Sequence, residues 1–438
     1  MRYIADFHIH SKYSRATSRD MDLEHLDYWA KIKGINILGT GDFTHPLWFK
    51  ELKSKLEPAE PGLFKLKPQT AKLKNGNNWY LPPSQPEPVR YILTSELSCI
   101  YKKNDRTRKI HLIVFAPNLE FVEKFNTHLG WLGNLKADGR PILGLDAKEV
   151  AKIALNLSSE AMIVPAHIWT PWFSVFGSMS GFNSISECFD EYSKYIYAAE
   201  TGLSSDPAMN WRVSMLDDIT LISNSDSHSP QKIGREANIL EGKELSYKKI
   251  NEALRLGRRA PLSNPLRMTS TIEFFPEEGK YHFDGHRVCK ISFSPEETKK
   301  HKGICPVCSR PLTIGVMNRV DVLANRSVGY KLQGAIPFSS LIPLEEIIAD
   351  TIGVGTGTKA VEREYRELLN RFGTEIKILM EIPKDELEKS VKAEIAEGII
   401  RVREGKVKVE PGYDGEYGKV KIFTHGEQKA FSKQDSLF

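Results

Sequence analysis

The chain contains no run of about 18 uninterrupted apolar residues, and its first residues lack a basic stretch followed by an apolar one. Neither a membrane span nor a secretory signal is indicated, so the expectation is an intracellular, cytoplasmic protein, associated with the nucleoid if its partner is DNA. Cysteine is scarce: there are five in 438 residues, an odd count with three of them between 289 and 308. That excludes a disulfide scaffold and favours metal binding in a reducing compartment. Charge of one sign is not in large excess either. Lys and Arg number 61 against 56 Asp and Glu, a net +5 with a pI near 8.7, which is compatible with nucleic acid without requiring it. Charged residues at 27% and hydrophobic ones at 40% exclude a disordered chain, and the length suffices for two or three domains with a sizeable core.

What the chain does have, over its first 265 residues, is a recurring unit. An apolar, β-branched run ends in a polar or metal-capable residue and is followed by a helix-like or loop segment. After Tyr3-Ile4-Ala5 come Ile35 to Gly39 before Asp42, Tyr91 to Ser95 before Glu96, and Ile110 to Phe115 carrying His111. Met162 to Ala166 before His167, Tyr195 to Ala199 before Glu200, and Ile219 to Ser225 before Asp226 and His228 complete the series. About seven strands with long connections read as a parallel α/β barrel, a fold that places its chemistry at the carboxyl ends of the strands. His111 departs from the pattern by standing near the start of its run.

The first run leads into Asp6-Phe7-His8-Ile9-His10, and on a strand the period of two puts His8 and His10 on one face. Brought together with Glu96, His111, His167, Asp226 and His228, and with Asp42 nearby, they amount to five imidazoles and three carboxylates. Mixed nitrogen and oxygen ligation suits zinc, manganese or iron better than calcium, and a carboxylate such as Glu96 can bridge two ions. So many ionisable groups in one barrel mouth without cations would cost several kcal/mol in desolvation and unpaired charge.

A second constellation is His286-x-x-Cys289 followed by Cys305-Pro306-Val307-Cys308. Two ligand pairs with two residues inside each form two knuckles around a tetrahedral structural zinc. His282 is the alternative fourth ligand. A segment this small lacks its own core, so the ion supplies much of its folding energy. Cys99 and Cys188 lie in apolar surroundings and read as buried.

The order Asp6-Phe7-His8-Ile9-His10, Gly39-Thr40-Gly41-Asp42, Glu96, His111, Pro165-Ala166-His167 and Ser223-Asn224-Ser225-Asp226-Ser227-His228 resembles the PHP (polymerase and histidinol phosphatase) superfamily. The finer match, through Thr170-Pro171-Trp172, Gly202-Leu203-Ser204 and Gly234-Arg235-Glu236, is to the endonuclease Q family of DNA repair nucleases and covers almost the whole chain. The resemblance implies a distorted seven-stranded (β/α) barrel over 1–265, a small zinc-binding module over 266–320, and a mainly helical, DNA-binding region with a flexible tail over 321–438. It further implies hydrolysis, by a metal-activated water, of the phosphodiester 5′ to deaminated bases (uracil, hypoxanthine, xanthine) and abasic sites, with Asp226, Glu96 and His228 carrying the reaction. Two to three divalent metals are expected: zinc, with magnesium or manganese as further candidates. His8, His10, Glu96 and Asp226 would hold one ion; Glu96, His111 and His167 a second; Asp42 and His228 a third, with Asp42 standing where many relatives have histidine. Glu200 either orients a ligand or closes the core, and His45 reads as a loop histidine.

Several segments keep two readings. Trp169, Trp172 and Phe173 directly follow His167 and either stack an extruded base or pack a loop. Gly353 to Lys359 is a glycine-rich turn opening a helix, suited to a DNA phosphate through Lys359 or to a plain helix–helix turn. Arg255 to Arg259 reads as a solvated helix end. Arg235, inside the family match, is expected at the substrate. The tail Gln434 to Phe438 resembles a truncated sliding-clamp-binding peptide without its closing aromatic pair, or a terminus without fixed structure. Two other functions compete: a small-molecule phosphoesterase on the same barrel, which would need no zinc module or helical extension, and a nucleic-acid-binding protein with an inactive barrel, which would have lost ligands.

Overall fold

The computed structural model describes residues 1–70, 87–423 and 427. All seven sequence-predicted strands form: β1 (Arg2–Asp6), β2 (Ile37–Gly39), β3 (Arg90–Ile92) continuing into β4 (Thr94–Lys103), β5 (Arg106–Phe115), β6 (Met162–Pro165), β7 (Ala198–Glu200) and β8 (Thr220–Ile222). β1, β2 and β3 pair in parallel, as do β7 and β8. The expected all-parallel barrel is nevertheless corrected to a mixed one. Asn104 and Asp105, with φ of 53° and 56°, make a tight turn that folds β4 and β5 into a ten-residue antiparallel hairpin, and β6 adds antiparallel to β5. No crossover helix separates β4 from β5. His111 is therefore mid-strand on a reversed strand, which accounts for its displaced position in the sequence pattern.

The strands close on themselves. Ile168 N–H donates to Glu200 O (3.0 Å) between the ends of β6 and β7, and His10 N–H donates to Ser227 O (3.0 Å) beyond the ends of β1 and β8. Where β8 and β1 lack a ladder, amide side chains substitute. Asn224 Oδ1 accepts from Phe7 N–H (2.8 Å), and Asn238 Nδ2 donates to Ala5 O and Ser223 O. Every strand except β4 contributes, from within it or from the residue just past it, to one interior cluster: Ala5 and Phe7, Ile37, Ile92, Ile113 and Phe115, Met162 and Val164, Ala198, Ile222. The alternate residues Ile4, Leu38, Tyr91, Leu112, Val114, Ile163 and Ala199 face the surrounding core. This period-two alternation is what a closed sheet with helices outside demands. The helix Tyr247–Leu256 adds Tyr247, Ile250, Ala253 and Leu254 to the interior cluster.

The expected boundary at 265 does not separate sheets. β9 (Ala237–Gly242) pairs antiparallel with β1, and β10 (Leu266–Glu273) pairs antiparallel with β9. Phe338–Ser340 then adds in parallel to β10. Thus β10, expected with the zinc module, and a strand expected with the helical region both extend the barrel sheet, because a strand edge with unpaired amides favours another strand. The hairpin of the segment expected to bind zinc, Asp284–His286 with Ile291–Phe293, lies outside that sheet.

The C-terminal region carries helices Leu344–Ile352, Lys359–Phe372, Glu375–Met380 and Ala393–Arg403, then a short hairpin of Lys408–Glu410 and Lys419–Lys421. It is fastened to the barrel by a buried ion pair, Lys33 Nζ to Glu375 at 2.9 Å, with Tyr365 Oη donating to the same carboxylate at 2.6 Å. Among the described residues no helix is long and apolar enough to cross a membrane.

Candidate metal centre

β1 stops at Asp6, so His8 and His10 sit in the segment just past it, their rings 5.4 Å apart, with Ile9 bridging Ser227 between them. Two ligand groups form here: His8, His10, Glu96 and Asp226, and Glu96, His111 and His167, each offering ligand atoms mutually within 4.8 Å. Glu96 belongs to both. Its Oε1 is 2.7 Å from His111 Nδ1 and 3.2 Å from His167 Nε2, while Oε2 is 3.3 Å from His10 Nε2 and 3.5 Å from His8 Nε2.

Three imidazoles are locked through their remote nitrogens. His8 Nδ1–H donates to Glu200 (2.9 Å), His10 Nδ1 meets Asp42 Oδ1 (3.1 Å), and His167 Nδ1 meets Thr170 Oγ1 (3.1 Å). Each contact turns Nε2 toward the centre and fixes the tautomer, the arrangement that raises the basicity of metal-binding histidine. His8 Nε2 is buried without a hydrogen-bond partner. Burial alone disfavours imidazolium at His8 and His10. The carboxylates Glu200, Glu96 and Asp226 around the first, and Asp42, Asp226 and Glu96 around the second, outweigh it and hold both pKa values well above the ordinary range. Burial dominates instead at His111, whose pKa falls to about 4. An orphaned buried nitrogen, ring nitrogens turned inward and a strong pull on positive charge are what a divalent-cation site shows, so the residues present fit the implied metals.

Asp42, Asp226 and His167 all have positive φ (46°, 45° and 29°), backbone strain that the surrounding contacts sustain at a functional site. Gly202 explains one: a Cβ there would collide with His167.

Other expected site residues fall elsewhere. Both oxygens of Asp42 are engaged, Oδ1 by His10 and Oδ2 by Ser11 N–H (2.6 Å), Ser11 Oγ (2.7 Å) and Ser14 Oγ (2.8 Å). His228 Nδ1 donates to Asp226 O (2.9 Å) while its ring lies 4.6 Å from that of His10. Neither joins a group of three or more ligand residues among the described residues. Trp169 is fully buried, donating to Asn210 Oδ1 (2.8 Å) against Phe176, which places it in the core and leaves no ring face exposed for the expected stacking on a base. Arg235 is likewise occupied, its guanidinium donating twice to Ser225 O (3.0 and 2.8 Å). Trp172 is half-buried against Tyr281, and Phe173 lies 4.6 Å from the His111 ring. Lys359 is exposed at the first turn of its helix. His45 stacks on Tyr13 outside the ligand groups. Cys99 and Cys188 are both buried, and burial pushes their thiols far up. Residues 434–438 lie outside the described residues.

Sequence reasoning missed Arg140, whose Nη1 stands 3.0 Å from Glu96 Oε2. Nothing in Asp138-Gly139-Arg140 distinguishes it from other loop arginines. Glu200 is settled as an orienting group: besides His8 it accepts from His167 N–H (2.8 Å) and Asn224 Nδ2 (2.9 Å).

In the small module His286, Cys289, Cys305 and Cys308 bring four ligand atoms within 4.8 Å of one another, with His282 buried and not among them. Burial opposes the Cys305 thiolate, but N–H groups of Cys308 and Val307 aimed at its sulfur bring the pKa down to about 7. The donor set fits a tetrahedral structural ion.

Fold and site together define a mixed α/β protein with a candidate metal centre built on a shared carboxylate at the ends of its strands. Known proteins carry the same frame. The lesion-specific endonuclease PfuEndoQ from Pyrococcus furiosus matches at TM-score 0.81 and 29% identity, covering 98% of this chain and 99% of that one. An endonuclease Q bound to a 27-mer duplex with an abasic lesion matches at TM-score 0.80 and 30% identity, covering 97% of each. This chain belongs to the endonuclease Q family. Residues 343–406 match the MJ0043 C-terminal domain family. The protein MJ0043 of Methanocaldococcus jannaschii is 34% identical over 259 residues, 58% of this chain and 31% of the relative, so the chain spans about a third of that protein's length. YqxK of Bacillus subtilis is 29% identical over 321 residues, 71% of this chain and 74% of the relative.

Proposed function

We propose that this chain is a DNA repair endonuclease that hydrolyses the phosphodiester 5′ to abasic sites and deaminated bases (uracil, hypoxanthine, xanthine). The observation that carries the reading is Glu96, one carboxylate common to two ligand groups, the arrangement by which two ions clamp the attacking and leaving oxygens of an in-line displacement. The family match to an endonuclease Q solved on an abasic duplex supports the substrate class. Divalent ions, when bound, would lower the pKa of water and neutralise charge on the phosphate. The chain's own groups do the positioning. Glu96 sets the spacing of the two groups, Glu200 and Asp42 lock His8 and His10, and Asp226, its side chain 24% exposed, is open to accept a hydrogen bond from an entering water. Trp172 and Phe173, half-buried near the centre, offer ring faces to an extruded base. Lys359 and the exposed glycine-rich turn before it, and the zinc module flanking Trp172 through Tyr281, would contact the duplex on either side.

The test is incubation of the purified chain with labelled duplexes carrying uracil, hypoxanthine, an abasic site or no lesion, with and without added zinc, manganese or magnesium. Nicking on the 5′ side of the lesion, dependent on metal and abolished by Asp226→Asn, is expected. Full nicking by Asp226→Asn would remove this centre from the reaction.

A further inference from the structure

Arg140 is the one cation turned into the centre by the described residues, and the ligand groups leave it without a task. We propose that Arg140 binds a non-bridging oxygen of the phosphodiester under attack; the assignment rests on the endonuclease reading above.

Its placement is built. The segment carrying it is pinned at Gly139, whose N–H donates to Tyr13 O (3.0 Å) and where a Cβ would strike the Asp42 carboxylate and the Ser14 hydroxyl. Asp138 Oδ1 accepts from Arg140 N–H (3.1 Å), and one residue on, Pro141 O accepts from Ser98 N–H (3.0 Å). The guanidinium is thereby held beside β4, its side chain 26% exposed, with Nη1 on Glu96 Oε2. Among the described residues Nε and Nη2 have no hydrogen-bond partner, which leaves both nitrogens of the planar fork free to donate.

Charge decides what those donors are for. Around the centre stand four carboxylates, Glu96, Asp226, Asp42 and Glu200, and two divalent cations would neutralise them. A guanidinium next to the shared ligand then makes the loaded centre positive by one, which opposes ion binding and has no value for holding metal. It matches one arriving phosphodiester, and arginine's fork suits phosphate oxygens where a point charge would not fix orientation. Glu96 keeps the guanidinium in place until the phosphate arrives.

The full chain, reconstituted with manganese, is compared with Arg140→Ala and Arg140→Lys. Metal content is measured by elemental analysis, inorganic phosphate affinity by calorimetry, and single-turnover cleavage on an abasic duplex. Expected for Arg140→Ala are unchanged metal content, phosphate affinity weaker by roughly tenfold, and a cleavage rate lower by about 10²- to 10³-fold. Added guanidinium should return part of that rate. Arg140→Lys keeps the charge and loses the fork; it should fall between the two and serves if the alanine variant does not fold. Wild-type phosphate affinity and rate in both variants, or loss of metal from them, would overturn the proposal. If the wild-type chain cuts no duplex at all, the endonuclease reading falls, and the phosphate titration still decides the role of Arg140.

Discussion

Replacing Glu200 by Gln perturbs the metal centre without touching a ligand. Glu200 is fully buried and its two oxygens receive four contacts. Oε1 takes His8 Nδ1–H (2.9 Å) and Asn224 Nδ2 (2.9 Å), and Oε2 takes His167 N–H (2.8 Å) and His8 Nδ1–H (3.1 Å). A glutamine fills the same space with one oxygen turned into a donor. Placed at Oε2, its NH₂ opposes the His167 backbone N–H. Placed at Oε1, it opposes Asn224 Nδ2, which cannot flip because Asn224 Oδ1 already accepts from Phe7 N–H (2.8 Å) and Asn238 Nδ2 (3.0 Å). One buried donor is left unmatched either way, at about 1–3 kcal/mol. His8 also loses the anion that makes its Nε2 basic, and removal of such a partner lowers metal affinity about 10- to 100-fold. Calorimetric titration of the metal-stripped chain with manganese should show that weakening, and nicking should recover when metal is raised by the same factor. Wild-type metal affinity in Glu200→Gln would refute the reasoning that carboxylates behind the histidines, and not ligand identity alone, set the strength of this site.

The remaining predictions concern other parts of the molecule. Cys305→Ser should remove one ion equivalent from the small module by native mass spectrometry and lower its melting temperature, leaving metal at the barrel centre unchanged. Trp169→Ala should destabilise the fold by about 3–5 kcal/mol in denaturant melts, as expected for emptying a buried indole site. Trp172→Ala should leave stability within about 1 kcal/mol while reducing lesion cleavage, since the side chain is only half-buried; equal nicking by both proteins would take Trp172 out of the substrate pocket. The buried carboxyls Glu236 and Glu273 are both held above the ordinary value near 4.5, by burial first and, for Glu236, by the adjacent Glu273. A raised folded pKa gives stability that is complete below the ordinary carboxylate pKa and is lost as pH climbs through the raised value. The unfolding free energy should therefore fall as pH rises from about 4.5 through the raised values, by roughly 1.4 kcal/mol per pH unit for each such group, the melting temperature falling with it, and Glu273→Gln should flatten that slope.

The Cys/His tetrad and the strand runs were legible from residues alone because both depend on local spacing, whereas the grouping of the barrel residues came from the family resemblance. His286, Cys289, Cys305 and Cys308 make their knuckles within four residues each, so the tertiary fold has little left to decide. The β-branched runs became strands where read, with His8, His10, Glu96, Asp226, His111 and His167 gathered beyond or beside them. The β4–β5 hairpin was not legible, because Tyr101 to Lys109 is too polar to show a period, although the pairing runs unbroken from Lys103↔Arg106 at the Asn104-Asp105 turn to Thr94↔Phe115. Only the tertiary structure turned Asp42 to the back of His10, put Trp169 in the core and Phe173 beside His111, and brought Arg140 to Glu96 across a sequence separation of 44. Irregular segments have no repeat that assigns a side chain to a face, and an orienting contact depends on which distant group occupies the space opposite. Short-range chemistry is written in the order of residues, whereas the direction of a loop side chain is set by what the rest of the chain packs against it.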